Sequence, residues 1–339
     1  MNVRGAGWLA RVFGPRGERV WLPLLSISLL LVMGEVVCRV FGLADDLDHD
    51  FRFFIRNVDG DVEETFNQED ALLMWAPRPG YSAGQLRIDD AGFRVGGERG
   101  ATSDDALRVA LLGDSTTFGI DVPFEATFGA RLGARSGGRL QILNAGVTGY
   151  TSTQALARYR RDVRPWKPDV VVLQAGINDP VARFWLSDDQ IMEERIPGPI
   201  AALLNRWLLR SHFFRVIRSA TLALLGRPSA PGPDVPRVGS ERLADNVRAL
   251  AEDVVSDGGR LVLLVSPVSP AAAGWPRLAE VQRYRAILAA EARAVGAVVV
   301  EVSELMEATG DSALFLDTVH PNARGHDRLA AALLPVLTP

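Results

Sequence analysis

The chain has 339 residues, 47% hydrophobic and 23% charged, with a net charge of −4. That length and apolar fraction allow a sizeable core and exclude general disorder, and the acidic balance leaves no footprint for nucleic acid. A single cysteine, Cys38, excludes an intrachain disulfide and a cysteine-based zinc site; the histidines are His49, His212, His320 and His326.

Residues 1–19 hold Arg4, Arg11, Arg16 and Arg19 against Glu18, and residues 20–42 are mostly apolar. About 20 apolar residues cross a bilayer, so 20–42 reads as a transmembrane helix, with Glu35 and Arg39 paired one turn apart near its end. No small-x-small site follows, and the residues before Cys38 do not form a lipoprotein box. An uncleaved signal anchor is therefore favoured over a cleaved signal peptide or a lipid anchor. Basic residues before the segment and Asp45, Asp46, Asp48 and Asp50 after it put 1–19 in the cytoplasm. The rest of this single-pass chain is then expected on the extracytoplasmic side of the inner membrane. Residues 43–104 read as a stalk and small β extension, with strand-like pieces at 85–88 and 92–95. His49 within it reads as a solvated linker residue.

From Leu107 the pattern becomes regular. Strands expected at 107–113, 139–144, 169–174, 260–265 and 297–302 alternate with helices at 123–135, 152–163, 240–256, 278–294 and 323–337. Such alternation means βαβ units with right-handed crossovers, hence a three-layer α/β domain over 105–339. An insertion at about 181–239 interrupts it. The middle of that insertion, 200–225, is a basic amphipathic helical pattern that suits either a membrane surface or a cap over the domain. Residues 228–236 read as a flexible connector. His212 and His326 read as structural.

Four polar loops fall at or beyond strand ends: Gly113-Asp114-Ser115, Asn144 to Gly149, Gly176-Ile177-Asn178-Asp179, and Asp317-Thr318-Val319-His320-Pro321. In a parallel sheet these ends share one edge, so Ser115, Gly149, Asn178, Asp317 and His320 can converge. A serine hydroxyl needs a base before it attacks. An unperturbed imidazole titrates near neutrality, which makes His320 the natural base, and Asp317 is placed to hold its tautomer. The N–H groups of Ser115 and Gly149 and the Asn178 amide supply three donors for an oxyanion. Plainer readings stand beside these. Ser115 can be a helix N-cap and Gly149 a positive-φ turn, with Gly146 its rival as donor. Asn178 can be a turn residue and Asp317 a surface carboxylate. Asp114 and Asp179 raise a metal site, but the triad accounts for the same loops, so neither metal nor cofactor is expected. Nucleotide binding is disfavoured, because the first loop has no phosphate-binding Lys and no G-x-G-x-x-G.

The four blocks, in this order, resemble the SGNH or GDSL-type serine esterases and lipases over roughly 105–339. That resemblance implies a flavodoxin-like sheet in the order 2-1-3-4-5. It also implies Ser115 as nucleophile, His320 as base, Asp317 as third triad member, and Ser115, Gly149 and Asn178 as the oxyanion hole. Thr116 stands where the family often has Leu. Trp75-Ala-Pro-Arg-Pro-Gly80 and Asp90-Ala-Gly-Phe-Arg94 resemble the lead-in of membrane-anchored or secreted bacterial members, and no chemistry is expected of them. The expected function is a serine esterase acting through an acyl-serine on a cell-envelope ester, an O-acetylated glycan or a lipid. The alternatives are an O-acetyltransferase or thioesterase with the same triad, and a non-catalytic glycan-binding protein.

Overall fold

The computed structural model describes residues 15–43, 66–70, 72–96, 103, 105–184, 187–193, 208, 211–224, 235–302 and 312–338. His49, residues 1–14 and most of the 228–236 connector lie outside the described residues. The chain forms two compact units, Met1–Phe53 with Ile196–Gly232, and Phe54–Arg195 with Pro233–Pro339.

In the first unit, helix α1 (Pro15–Val40) includes a stretch, Leu22–Val40, long and apolar enough to cross a membrane. Part of the helix expected over 200–225 is present as an insertion helix, His212–Leu224. The Glu35 carboxylate caps it, accepting the Ser211 hydroxyl at 2.7 Å and the N–H groups of Phe213 and His212 at 3.0 and 3.2 Å. The same carboxylate pairs with Arg39 at 2.7 Å. Gly34 makes the approach possible, since a β-carbon there would meet the Phe213 ring at 2.7 Å.

In the second unit, residues 66–96, within the stretch read as stalk and β extension, form two small antiparallel sheets. One joins β1 (Asn67–Asp70) to β2 (Met74–Pro77); the other is β3 (Ser82–Ala83), β4 (Leu86–Ile88) and β5 (Arg94–Val95). The chain continues through β6 (Leu107–Gly113), α2 (Ser115–Phe118), α3 (Phe128–Arg135), β7 (Leu140–Asn144), α4 (Ser152–Arg158) and β8 (Val170–Gln174). After β9 (Ala182–Phe184) and α5 (Asp188–Glu193), β10 (Val235–Pro236) pairs back on β9. Then follow α6 (Ser240–Ser256), β11 (Arg260–Leu264), α7 (Leu278–Ala294), β12 (Val298–Val300) and α8 (Ala323–Leu337).

The main sheet is parallel, ordered β12-β11-β8-β6-β7, which is the expected 2-1-3-4-5. Its central strands are near-continuous Val and Leu because both faces are covered. Alternate residues go to opposite cores. Ala110, Leu112, Val171 and Leu173 pack with Leu156, Val247, Leu250 and Leu288 of α4, α6 and α7. Val109, Leu111, Val170 and Val172 pack with Phe128 and Leu132 of α3 and Leu329 and Leu333 of α8. Phe93 beside β5 reaches the first of these cores.

Candidate active site

Strand β6 ends where a side chain cannot fit: a β-carbon on Gly113 would sit 2.4 Å from Gln174 O and from Thr117 Oγ1. Asp114, not Ser115, is the N-cap of α2, its Oδ1 accepting the Thr116 N–H at 2.9 Å. Ser115 is thus the first residue of a one-turn helix, closed by Gly119 at φ +82. Its Oγ lies 2.8 Å from His320 Nε2, and His320 Nδ1 lies 2.6 Å from Asp317 Oδ2. An ionised carboxylate can only accept, so Nδ1 carries the proton and Nε2 turns a lone pair toward Ser115.

The last loop is folded to deliver that pair. Asp317 Oδ1 accepts the N–H groups of Val319 and His320, both at 2.8 Å. A bridge between Phe315 and Pro321 closes the loop, and Asn322 caps α8. Partial burial pulls the Asp317 carboxyl upward, but the His320 hydrogen bond, those two N–H groups and the imidazole charge outweigh it and leave it lowered. The side chain of Asp317 is 54% exposed, so its fixed geometry comes from the loop's own donors.

Beside β6, the loop after β7 docks through Val147 N–H on Gly113 O at 3.0 Å. Tyr150 N–H returns to Val147 O at 3.2 Å, with Gly149 third in the turn at φ +73, the position a type II turn reserves for glycine. Gly146 answers a different need. Its N–H is engaged by Asn144 Oδ1 at 3.1 Å, and a β-carbon there would meet Phe118 N at 2.3 Å. Asn178, after β8, donates from Nδ2 to Tyr150 O at 3.0 Å. The structure therefore joins Ser115, His320 and Asp317 directly, and sets the Gly149 turn between Gly113 and Asn178.

The two neighbouring acids stay inside the protein fabric. Asp179 accepts the Ser152 and Gly176 N–H groups at 2.9 and 3.1 Å, and burial raises its pKa. Burial pushes Asp114 up to about 6, against its bonds to Thr116 and Gln174 and the attraction of His320. His326 is buried, stacked on Phe128, and accepts the Phe128 N–H at Nδ1 (3.2 Å). Burial and the charges of Arg94 and Arg131 hold its pKa down at about 3. Among the described residues, no three His, Cys, Asp or Glu side chains gather as a metal site requires.

Sequence reasoning missed the polar scaffold behind these loops. Gln174 donates to Asp114 Oδ2 (3.1 Å) and Ser266 Oγ (2.6 Å) and accepts Thr117 Oγ1 (2.9 Å). A fully buried pair, Arg237 and Asp188, bonds at 2.9 and 2.7 Å, and Arg237 Nη1 donates to Gly149 O at 2.7 Å. Trp75 Nε1 donates to Thr148 O at 3.0 Å. The one local signal was a lone Gln ending an otherwise apolar strand.

The family model of GDSL-like lipases and acylhydrolases matches residues 111–328. No curated protein matched the sequence. Similar solved structures include a member of the lipolytic protein G-D-S-L family from Veillonella parvula DSM 2008, at 18% identity and TM-score 0.45, covering 69% of this chain and 99% of that one. LAE5, an alpha/beta hydrolase from the metagenome of Lake Arreo, is 22% identical at TM-score 0.45, covering 71% and 98%. Axe2, an acetylxylan esterase from Geobacillus stearothermophilus, is 18% identical at TM-score 0.46, covering 71% and 97%.

Proposed function

Because the chain belongs to the GDSL-like lipase/acylhydrolase family of ester-hydrolysing enzymes, we propose that it cleaves its ester through an acyl-Ser115 intermediate. The observation that carries this reading is the unbroken Ser115–His320–Asp317 hydrogen-bond chain at 2.8 and 2.6 Å. Ser115 Oγ adds to the ester carbonyl carbon as its proton passes to His320 Nε2. Asp317 holds the resulting imidazolium. The carbonyl oxygen, now an oxyanion, is received by the N–H groups of Ser115 and Gly149 and the Asn178 amide. The imidazolium returns its proton to the alcohol as the C–O bond breaks, leaving acyl-Ser115. Water then repeats the sequence, releasing the acid and restoring the serine.

The apolar stretch Leu22–Val40 is long enough for a single-pass anchor. The basic residues before it and the acidic residues after it favour an inner-membrane orientation with the hydrolase outside. The substrate class is then an ester of the cell envelope, an O-acetylated glycan or a lipid. The test uses the full chain in detergent: it releases p-nitrophenol from p-nitrophenyl acetate and is labelled by a fluorophosphonate. Activity or labelling that persists in Ser115→Ala contradicts the reading. Incubation with isolated envelope glycan then follows the acyl group. Free acetate marks a hydrolase, and acetate on a new sugar hydroxyl marks a transferase.

A further inference from the structure

We propose that Trp75, which lies outside the five-strand sheet, is a positioning residue that aims the Gly149 N–H at the oxyanion. The inference rests on the reading of Gly149 as an oxyanion donor. Gly149 N–H belongs to the Thr148–Gly149 peptide, and the described residues contain no cis peptide bond. In a planar trans peptide the C=O and N–H point in opposite directions. Trp75 Nε1 holds Thr148 O at 3.0 Å. Pinning that oxygen toward the indole fixes the Gly149 N–H to point away from it.

The clasp is reciprocal. Tyr150, the residue after Gly149, donates its hydroxyl to Trp75 O at 2.6 Å, and the two rings meet edge-on at 5.7 Å. Asn67, from the neighbouring strand, donates to Thr148 Oγ1 at 2.9 Å. Trp75 is fully buried, so its N–H is exchanged for no solvent bond. The residue before it, Met74, sits at φ +71, a left-handed conformation uncommon for a residue with a β-carbon. Such strain persists where surrounding structure demands it, and it often marks functional geometry. The small β1–β2 sheet is thereby a working part of the site rather than a lead-in to it.

The experiment compares p-nitrophenyl acetate with its thionoester, C=S replacing C=O, on the full chain in detergent. Sulfur accepts hydrogen bonds weakly, so the thionoester leans little on the oxyanion donors. In Trp75→Phe we expect kcat for the oxoester to fall about 10- to 100-fold, less than the ~10²–10³ for deleting a donor outright. KM should move little, and the thionoester rate should fall much less, so the oxo-to-thiono ratio drops. Equal losses on both substrates, or no loss, overturn the inference, because fewer folded molecules would scale both rates alike. Replacing the Trp75 indole by benzothiophene deletes only the N–H and gives the same readout if Trp75→Phe does not fold. Hydrolysis that persists in Ser115→Ala with Trp75 intact instead overturns the acyl-Ser115 reading on which the Gly149 donor role depends.

Discussion

Removing the carboxylate of Asp188 should be among the most damaging single changes outside the candidate catalytic residues. Asp188 and Arg237 expose none of their side-chain surface. Asp188 Oδ1 takes Arg237 Nε at 2.9 Å, and its Oδ2 takes Arg237 Nη2 at 2.7 Å and Thr151 Oγ1 at 2.8 Å. In Asp188→Ala the guanidinium keeps Gly149 O and Gln154 Oε1 but loses its counter-charge. Breaking such a pair from one side costs about 3–5 kcal/mol, because an uncompensated charge stays buried. In a unit of this size each kcal/mol moves Tm by about 2–4 °C, so the melting point should fall by roughly 6–20 °C. The control is Glu301→Ala, which breaks a pair to Arg293 that is more than half exposed at both ends. Exposed pairs contribute about 0–1 kcal/mol. The paired change Asp188→Leu with Arg237→Met should recover part of the loss, since neither charge is then stranded. Thermal unfolding by circular dichroism of the detergent-solubilised chain reads all four proteins. An Asp188→Ala protein that melts within the range of Glu301→Ala would refute the reasoning.

Two buried titratable groups and two crowded glycines set further expectations. The folded chain holds His326 near pKa 3 against 6.5 for the free side chain, so only the unfolded chain takes up its proton in that window. Stability should therefore fall as pH drops below about 6.5, by up to ~1.4 kcal/mol per pH unit, and denaturant titrations of His326→Asn should show a shallower decline. Asp114, raised to about 6, acts in the opposite sense: its contribution is lost as pH rises from the unfolded value toward 6, and Asp114→Asn should flatten that limb. Gly146→Ala places a methyl 2.3 Å from Phe118 N, a backbone atom with nowhere to go, and should cost on the order of 1–3 kcal/mol in urea unfolding. Gly34→Leu would drive the Phe213 ring off α1, and should speed proteolysis within residues 212–224; unchanged cleavage would contradict that packing.

The five parallel strands were legible because β6 and β8 are buried on both faces, and a short run of Val and Leu that ends at or near a glycine suits a buried parallel strand. Ser115 and Asn178 stood out because they fall just after those strands, and Asp317 and His320 because they share one polar loop before the last helix. Strand β1 was not legible. Asn67-Gln68-Glu69-Asp70 has no alternation of its own, and it is a strand because β2 pairs with it. Trp75 and the Arg237–Asp188 pair escaped for a related reason. Their partners lie 73 and 49 residues away in the chain, at distances where no local period exists to read. The cap of α2 is ambiguous in the sequence, since Asp and Ser are both good caps and only the dihedrals assign Asp114.

The central claim is that Ser115 carries the acyl group during turnover. Rapid acid quench of the full chain hydrolysing p-nitrophenyl acetate, followed by peptide mass spectrometry, tests it most directly. Acetyl is expected on Ser115, with that adduct accumulating when His320 is replaced by Ala and acylation is forced by excess substrate, and with no adduct in Ser115→Ala. Full turnover with Ser115 unmodified, or an acetyl adduct on another residue that turns over at the rate of catalysis, would contradict it.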